Sequence, residues 1–309
     1  MHVFVAGGTG VIGGRLIPHL RAAGHRVTAT TGRSAKLPQL ERLGAHGVVM
    51  DGLDAAAVGA AVAAAEPDAI VHQMTALAGK MDPKHFDRWF ALTNRLRTEG
   101  TRHLLAAAEA CGVRHVVVQS YAGWPNIRSG GTIKTEDDPL DPDPPQVQRE
   151  SLAAIRYVEE TVPKANGTVL RYGTFYGPGA SDSLVAMVRK RQFPIVGSGA
   201  GMMSFVHIDD AAGATVLALE KGARGVFNIV DNEPAPMSTV LPYLAECVGA
   251  KPPFRIPVWL GRLAAGEVAV SMMTQVRGSS NARARRELGW EPRWPSWRQG
   301  FRDGLAEAV

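Results

Sequence analysis

The sequence predicts an α/β fold, a doubly wound parallel sheet with a smaller C-terminal α/β lobe. Three observations support this prediction. Short apolar runs alternate with helical patterns through the first part of the chain, which is typical of βαβ units and a parallel sheet. A glycine-rich turn joins the first predicted strand to the first predicted helix. Beyond residue 177 the elements are shorter and interrupted by proline, as expected of a smaller lobe.

The first strand–helix turn carries three regularly spaced glycines. Residues 2–6 are rich in Val and Phe and predict a buried strand, and residues 11–23 predict a helix. Between them Gly7 suits a tight turn, Gly10 admits a pyrophosphate, and Gly13 lets the helix lie close to the strand. The helix N-terminus favours the phosphate charge, so this turn predicts a Rossmann-like dinucleotide site rather than a plain tight turn. The predicted cofactor contacts here are Gly7, Thr9, Gly10, Val11, Ile12 and Gly13.

The turn after the second strand indicates which dinucleotide binds. A strand predicted over residues 25–31 is followed by Gly32-Arg33-Ser34. An acidic residue in this place would bind the ribose hydroxyls of NAD. No carboxylate is present, and Arg33 with Ser34 could receive a 2′-phosphate instead, so we expect NADP(H) in preference to NAD(H). The alternative is that Arg33 is only a solvated turn residue, with Arg15 as a second candidate for the phosphate.

The alternation of strands and helices continues for most of the chain. A long helix is expected over residues 85–111, and a long loop over the site is expected at residues 127–148, which are rich in Pro and acidic residues. We predict a dinucleotide-binding domain over 1–175 plus about 204–232, with the substrate lobe in about 176–203 and 233–309. The other predicted strands are 47–50, 69–74, 116–119, 168–172 and 225–230, and the other predicted helices are 55–66 and 147–162.

Composition excludes several classes of protein. The net charge of +5 over 309 residues comes from scattered Arg and Lys, so no nucleic-acid-binding stripe is indicated. Two distant cysteines give neither a disulfide framework nor metal-ligand spacing. No apolar run approaches the roughly 20 residues that span a bilayer, and a strand beginning at residue 2 leaves no room for a signal peptide. We expect a cytoplasmic protein with a small-molecule substrate and no membrane partner.

Several motifs together resemble the extended short-chain dehydrogenase/reductase family, which includes the NAD-dependent epimerases and dehydratases. The resemblance implies an NAD(P) domain, a C-terminal substrate lobe and hydride transfer at the nicotinamide. It further implies cofactor contacts at Asp51, Gly52, Met74, Thr75, Ala76, Tyr172 and Thr174. The motifs are the glycine triplet, Asp51-Gly52-Leu53, Gly100-Thr101 with Leu104-Leu105, residues 135–140, Arg171 to Gly179, residues 205–210, Phe227-Asn228-Ile229 and Leu288-Gly289-Trp290.

The catalytic signature of this family is missing. Relatives carry Tyr-x-x-x-Lys on the helix after the long loop, where the Lys helps the Tyr to exchange a proton with the substrate oxygen. The corresponding positions are Ser151 and Ile155, and no Tyr-x-x-x-Lys occurs in the sequence. The family's Ser/Thr pair at the end of strand five reads Ser120-Tyr121. We predict that both face the reacting oxygen, with Tyr121 either the proton donor or an aromatic wall; Lys134 could supply a cation, although a solvated loop Lys is the better interpretation.

The substrate positions also depart from the family. Nucleotide-sugar enzymes carry an Arg where Met203 stands, and the Asn of their Asn-x-x-Gly-Thr pattern is replaced by Arg97, with Asn94 one turn earlier. Both changes indicate a site that is not built for nucleotide sugars, although Met203 could also be a core residue. We expect a relatively apolar pocket in which Tyr121 is joined by Trp124, Tyr176 and Met203.

The resulting hypothesis is an NADP(H)-dependent oxidoreductase for a small, relatively apolar carbonyl or alcohol. The alternatives are a sugar epimerase or dehydratase, and a non-catalytic NADP(H) sensor. No metal site is expected at the acids of residues 136–138, because their spacing is not that of a metal loop. His72 is interpreted as a satisfied core histidine, and His207 as a cap on a helix starting at Asp209. A homodimer that packs through the two long predicted helices is one possible assembly.

Overall fold

A central parallel sheet of seven strands organises the chain. The structure is a computed structural model that describes residues 1–77 and 82–305, so the last four residues of the predicted lobe lie outside it. Numbered in chain order, the strands of the sheet lie in the order 3-2-1-4-5-6-7, and all neighbours are parallel. The strands are His2–Ala6, Arg26–Thr31, His46–Val49, Ala69–His72, His115–Tyr121, Thr168–Tyr172 and Gly225–Ile229.

The strand order indicates at which point along the sheet a ligand is expected to bind. The first strand lies between the second and the fourth, with Ala6 paired to His72 at their carboxyl ends. The order of the strands reverses at this junction, and doubly wound sheets bind their ligands in the crevice outside the strand ends at such a point. The predicted Rossmann-like fold is therefore confirmed.

Helices cover both faces of the sheet, whose strand residues are mostly buried. One buried cluster joins the helix Val11–Ala22 and the helix Ile208–Glu220 to one face, and a second joins Ala55–Ala65, Thr101–Ala110 and Arg149–Lys164 to the other. Burial on both faces gives such strands continuous hydrophobic sequences. The remaining α-helices are Leu37–Arg42, Phe86–Arg95, Asp182–Arg189, Met237–Cys247, Val258–Thr274 and Trp297–Asp303.

The long helix predicted over residues 85–111 is present but not uniform. An α-helix at Phe86–Arg95 and another at Thr101–Ala110 are joined by a π-helical turn, Leu96–Gly100. A π turn inserts an extra residue into the helix and is frequent at functional sites. Periodicity alone does not separate such a turn from a regular helix.

The predicted long loop contains a short strand. Ile133–Lys134 pairs in parallel with Gly278–Ser279 from the C-terminal part of the chain. Lys134 is 4% exposed and forms an ion pair of 3.2 Å with Asp138, so the expectation of a solvated lysine was wrong. The short strand explains the difference, because pairing with a distant segment draws Lys134 inward.

A third buried cluster lies in the C-terminal part of the chain and includes Tyr176, Phe205, Trp297 and Phe301. The helix Ile208–Glu220 begins one residue before the expected Asp209, because the Nδ1 atom of His207 accepts the Asp209 backbone N–H at 3.2 Å. The predicted capping role of His207 is therefore confirmed. Among the described residues, no helix is both long and apolar enough to cross a membrane.

Candidate active site

The glycine turn has the geometry that a bound dinucleotide needs. Gly7 has a φ of +94°, and a Cβ atom there would lie 2.8 Å from the backbone of Gln73. A Cβ at Gly13 would lie 2.5 Å from the Gly7 carbonyl oxygen, whereas at Gly10 the nearest atom is 3.4 Å away. Gly10 is also the N-cap of the helix that begins at Val11, and no side chain caps its first turn. The free N–H groups of that turn are therefore available to a diphosphate.

Predicted adenosine contacts lie next to this turn. Thr9 shares a hydrogen bond of 3.3 Å with Thr31 at the end of the second strand. Arg33 and Ser34 follow that strand and are exposed, as is Asp51 after the third strand. No acidic side chain stands between Thr31 and Ser34. Their roles in cofactor binding stay predictions.

The end of the fourth strand forms the next part of the edge. Gly52 and Met74 pack so closely that a Cβ on Gly52 would lie 2.5 Å from the Met74 sulfur. Thr75 is exposed, and the backbone N–H of Ala76 donates to Thr93 at 3.0 Å. Met74, Thr75 and Ala76 thus lie at the edge where the nicotinamide half is predicted, and their contacts with it stay predictions.

Tyr121 ends strand five, and the structure brings it next to Thr174, which begins a short strand, Thr174–Tyr176, just after strand six. Their hydroxyl oxygens lie 2.8 Å apart in a hydrogen bond, and the Tyr121 ring lies 6.4 Å from that of Trp124. Burial raises the pKa of Tyr121, so its phenol is neutral at physiological pH. Tyr121 can therefore donate a hydrogen bond, but no cation is seen beside it among the described residues to favour its phenolate.

Ser120 has a different environment. Its hydroxyl donates to the Glu159 carboxylate at 2.7 Å, and the same carboxylate receives two hydrogen bonds from Arg171, the shorter 2.6 Å. Both charged side chains are nearly fully buried. The catalytic role of Ser120 stays a prediction that this hydrogen bond does not favour.

The positions of the missing Tyr and Lys lie on the helix Arg149–Lys164. Ser151 is fully buried, donates through its backbone N–H to Asp87 at 2.9 Å, and accepts from the Asn94 side chain at 3.1 Å. Ile155 is 1% exposed. A serine held in a polar network and an aliphatic core residue cannot act as a phenol–ammonium proton relay.

An aromatic cluster, hereafter the aromatic wall, extends from Tyr121. It consists of Trp124, Phe86, Trp89 and Phe90. Phe86 lies 5.3 Å from Trp124 and 4.4 Å from Phe90, and Trp89 packs edge-on against Phe90 at 4.8 Å. Met272 and Val268, from the helix Val258–Thr274, pack against this cluster. Of these residues, only Trp124 was predicted from the sequence. The pattern Phe-x-x-Trp-Phe at the start of a helix after strand four could have indicated Phe86, Trp89 and Phe90.

Three other predicted contacts are enclosed. Tyr172 is 1% exposed, and its hydroxyl is shared with Gln73 at 3.1 Å and Thr215 at 2.7 Å. Tyr176 is 1% exposed and lies edge-on to Phe301 in the C-terminal cluster, against which half-buried Met203 also packs. The structure does not bring Tyr176 or Met203 into contact with Tyr121. Their ligand contacts stay predictions that this placement does not favour.

The histidine in strand four and the acidic residues of the long loop have structural partners. His72 is 1% exposed, donates through Nε2 to the Leu96 carbonyl at 3.0 Å and accepts the Met74 N–H. It is the satisfied core histidine that was expected. Within residues 1–77 and 82–305, no three His, Cys, Asp or Glu side chains form a group suited to a metal ion.

Comparison with known proteins agrees with this geometry. Residues 3–230 match the NAD-dependent epimerase/dehydratase family. A 3-diazoavenalumate denitrifying reductase from Streptomyces is 43% identical over 308 residues, covering 97% of this chain and 99% of that protein.

Solved structures agree on the fold. UDP-glucose 4-epimerase of Thermotoga maritima superposes with a TM-score of 0.79 at 22% identity, covering 99% of this chain and 97% of its own. Human epimerase family protein SDR39U1 with NADPH gives 0.77 at 21% identity, covering all of both chains. The chain therefore belongs to the NAD-dependent epimerase/dehydratase family, and it is an NAD(P)-dependent oxidoreductase of the short-chain dehydrogenase/reductase type.

Proposed function

We propose that this protein is an NADPH-dependent reductase that transfers a hydride to a diazo-substituted aromatic carboxylate and releases dinitrogen. One observation carries the proposal. The helix that holds the proton relay of carbonyl-reducing relatives has Ser151 tied to Asp87 and Asn94, and Ile155 in the core. The name of the Streptomyces relative, a denitrifying reductase of a diazo carboxylate, points to a reaction in which such a relay is not needed.

The balance of this reaction explains why the relay is dispensable. When bound, NADPH supplies a hydride, that is, a proton with an electron pair. An aryl diazonium cation that gains a hydride becomes the arene, while the carbon–nitrogen bond breaks and its electron pair leaves with N₂. No net proton is taken up. Reduction of a carbonyl instead leaves an alkoxide that must be protonated, which is the task of the Tyr–Lys pair in relatives.

The residues around the predicted nicotinamide position suit a flat, cationic acceptor. Within the aromatic wall, Trp89 and Trp124 are half-buried and would offer ring surface for stacking, and π faces attract cations. Tyr121 would remain a neutral phenol that positions the acceptor through its hydroxyl and the partner Thr174. The half-buried Trp124 and Trp89 would exclude water, which otherwise competes with hydride for a diazonium carbon.

The preference for NADPH over NADH rests on the turn after strand two. Arg33 and Ser34 are exposed beside the glycine turn, and no carboxylate stands there to bind ribose hydroxyls or to repel a 2′-phosphate. A guanidinium forms bidentate hydrogen bonds with phosphate. We therefore expect NADPH to bind more tightly than NADH.

A second candidate function is carbonyl reduction with Tyr121 as the proton donor. The observation that favours it is the contact of Tyr121 with Thr174 at the end of strand five, where the family places a residue that hydrogen-bonds the reacting oxygen. A Tyr with a raised pKa and no neighbouring cation is a weak acid for this task.

A pair of matched substrates distinguishes the two functions. The purified protein is given NADPH, or NADH in parallel, with 3-carboxybenzenediazonium or with 3-carboxybenzaldehyde. We expect the diazonium labelled with ¹⁵N to give benzoate and labelled N₂. Deuterium should be transferred from only one face of 4-deuterated NADPH. The kcat/KM for the diazonium should be at least ~10²-fold above that for the aldehyde. Reactions without protein control for direct reduction. Faster reduction of the aldehyde would instead establish the carbonyl function.

A further inference from the structure

Arg97 is a buried charge with two unpaired nitrogen atoms among the described residues. The residue is 6% exposed, and its Nε and Nη1 atoms are buried with no hydrogen-bond partner in that part of the chain. Burial lowers the pKa of Arg97 to about 10, so the side chain is still charged at neutral pH. Burying an unpaired guanidinium opposes folding, since buried charges are normally paired and hydrogen-bonded. Such a group is expected where a ligand completes it.

The acidic side chain that acts electrostatically on Arg97 is already engaged. It is Glu159, whose carboxylate accepts hydrogen bonds from Arg171 and from Ser120. Both Glu159 and Arg171 are nearly fully buried. This ion pair accounts for the burial of Arg171 and leaves the Arg97 guanidinium with hydrogen-bonding capacity to spare.

Arg97 belongs to the π turn Leu96–Gly100, which contacts the helix Arg149–Lys164. Asn94, three residues before it, hydrogen-bonds Ser151, the position of the missing Tyr. Arg97 thus supplies a cation on an element that packs against the helix of Ser151 and Ile155.

Arg97 is also continuous with the aromatic wall. Its Cζ atom lies 5.7 Å from the Phe90 ring centroid, and the rings then follow through Phe86 and Trp124 to Tyr121. The Leu96 carbonyl is held by His72, at the end of strand four. Phe86 and Phe90 are buried, so these two rings connect the Arg97 guanidinium to the half-buried Trp124 and to Tyr121.

We propose that Arg97 binds the carboxylate of the substrate and so sets its orientation along the aromatic wall. This inference rests on the proposed function, because it assigns the acidic end of the same substrate. A guanidinium and a carboxylate form paired, charge-assisted hydrogen bonds. The substrate anion would neutralise the buried cation, and the opposite end of the substrate would lie by Tyr121 and the predicted nicotinamide position.

The test separates the carboxylate from the rest of the substrate. Arg97→Gln and the wild type are compared on 3-carboxybenzenediazonium and on 3-carbamoylbenzenediazonium. In the second compound an uncharged carboxamide group replaces the carboxylate. We expect the variant to lose at least ~30-fold in kcat/KM on the carboxylate, mainly through KM, and less than about threefold on the carboxamide. Arg95→Gln is the matched control, because Arg95 is exposed on the preceding helix and forms an ion pair with Glu99; it should match the wild type.

Two further experiments make the result decisive. Affinity for NADPH should change by less than about threefold in Arg97→Gln; an equal loss of NADPH affinity would assign the guanidinium to the cofactor and overturn the proposal. Equal losses on carboxylate and carboxamide would also overturn it. A variant that fails to fold is replaced by Arg97→Lys, which keeps the charge and should show a smaller, carboxylate-specific loss.

Direct binding keeps this test independent of turnover. Cinnamate and cinnamamide are titrated into the NADP⁺-saturated wild type and Arg97→Gln, with heat or fluorescence as the readout. We expect cinnamate to bind the wild type at least ~30-fold more tightly than the variant, and cinnamamide to bind both alike. If no diazonium is reduced but this difference holds, only the proposed function fails. If the wild type reduces the diazonium as expected but cinnamate binds the wild type and Arg97→Gln equally tightly, only the role of Arg97 fails.

Discussion

At the residue scale, the main predicted departure of the site from its family concerns proton transfer. The resemblance to the family assigns Tyr121 to a position where relatives carry a small hydroxyl residue, and the hydrogen-bond partner of Tyr121 is the neutral Thr174. Burial raises its pKa, which makes proton donation harder. The sequence could predict the position of Tyr121 because the end of a strand is easily recognised. It could not predict its partner, which comes from residue 174 on another strand.

Tyr121→Phe tests which of the two candidate reactions occurs. If the residue only positions a hydride acceptor, we expect kcat on 3-carboxybenzenediazonium to fall by less than about fivefold, since no proton is transferred. If Tyr121 is a general acid, kcat on a carbonyl substrate should fall by ~10²-fold or more. Steady-state kinetics on both substrates gives the answer. Tyr157→Phe, on the half-buried side of another helix, is the matched control and should have no effect on either.

Arg97 and Lys134 show a second limit of the sequence at this scale. Arg97 was interpreted as the loss of an Asn, and Lys134 as a solvated residue. Both are buried, at 6% and 4% exposure. Local sequence cannot show this, because Lys134 is enclosed by pairing with residues 278–279 and Arg97 by the packing of a π turn on a distant helix.

At the element scale, the first strand–glycine turn–helix unit was predictable almost completely. Its geometry is local, since Gly7 and Gly13 are required by contacts within a few residues or with the adjacent strand, and Gly10 keeps the approach to the turn open. The π turn at Leu96–Gly100 was not predictable, because one extra residue in a long helix barely changes the apolar period. Arg97 lies within this turn.

Two substitutions within the glycine turn separate folding from cofactor binding. A Cβ on Gly10 meets nothing closer than 3.4 Å, whereas one on Gly13 would overlap the Gly7 carbonyl at 2.5 Å. We expect Gly10→Ala to melt within a few degrees of the wild type but to bind NADPH at least ~10-fold more weakly, because the methyl group occupies the diphosphate approach.

Gly13→Ala should instead lower the melting temperature by roughly 5 °C or more, since the helix must move away from the strand. Thermal melting and fluorescence titration with NADPH measure both effects on each variant. Equal NADPH affinity in Gly10→Ala and the wild type would contradict a diphosphate at this turn.

At the scale of the whole molecule, alternating apolar runs predicted the parallel sheet, and the comparisons place it in its family. The C-terminal part was less predictable. Its short strands, such as Met202–Met203 with Ala235–Pro236, pair across long sequence separations, and two-residue strands carry no detectable period. Tyr176 and Met203 were therefore assigned to a pocket, although they lie in or against the C-terminal cluster.

Buried His72 couples the stability of the fold to pH. Desolvation lowers its pKa from the ordinary 6.5 to about 4. Below pH 6.5 the unfolded chain therefore binds a proton that the folded chain refuses, so the free energy of unfolding falls as the pH drops towards 4. Over pH 6.5 to 5, this one group should contribute a loss of about 2 kcal/mol.

His72→Gln isolates this contribution, because Gln cannot titrate but can still donate to the Leu96 carbonyl. Free energies of unfolding from urea titrations are compared at pH 7 and pH 5. We expect the wild type to lose about 2 kcal/mol more than the variant over this interval. Buried acids with raised pKa values, such as Asp210 and Asp231, shift stability in the opposite direction, but they are common to both proteins and cancel in the difference. If the free energy of unfolding changed equally with pH in both proteins, folding would not lower the pKa of His72.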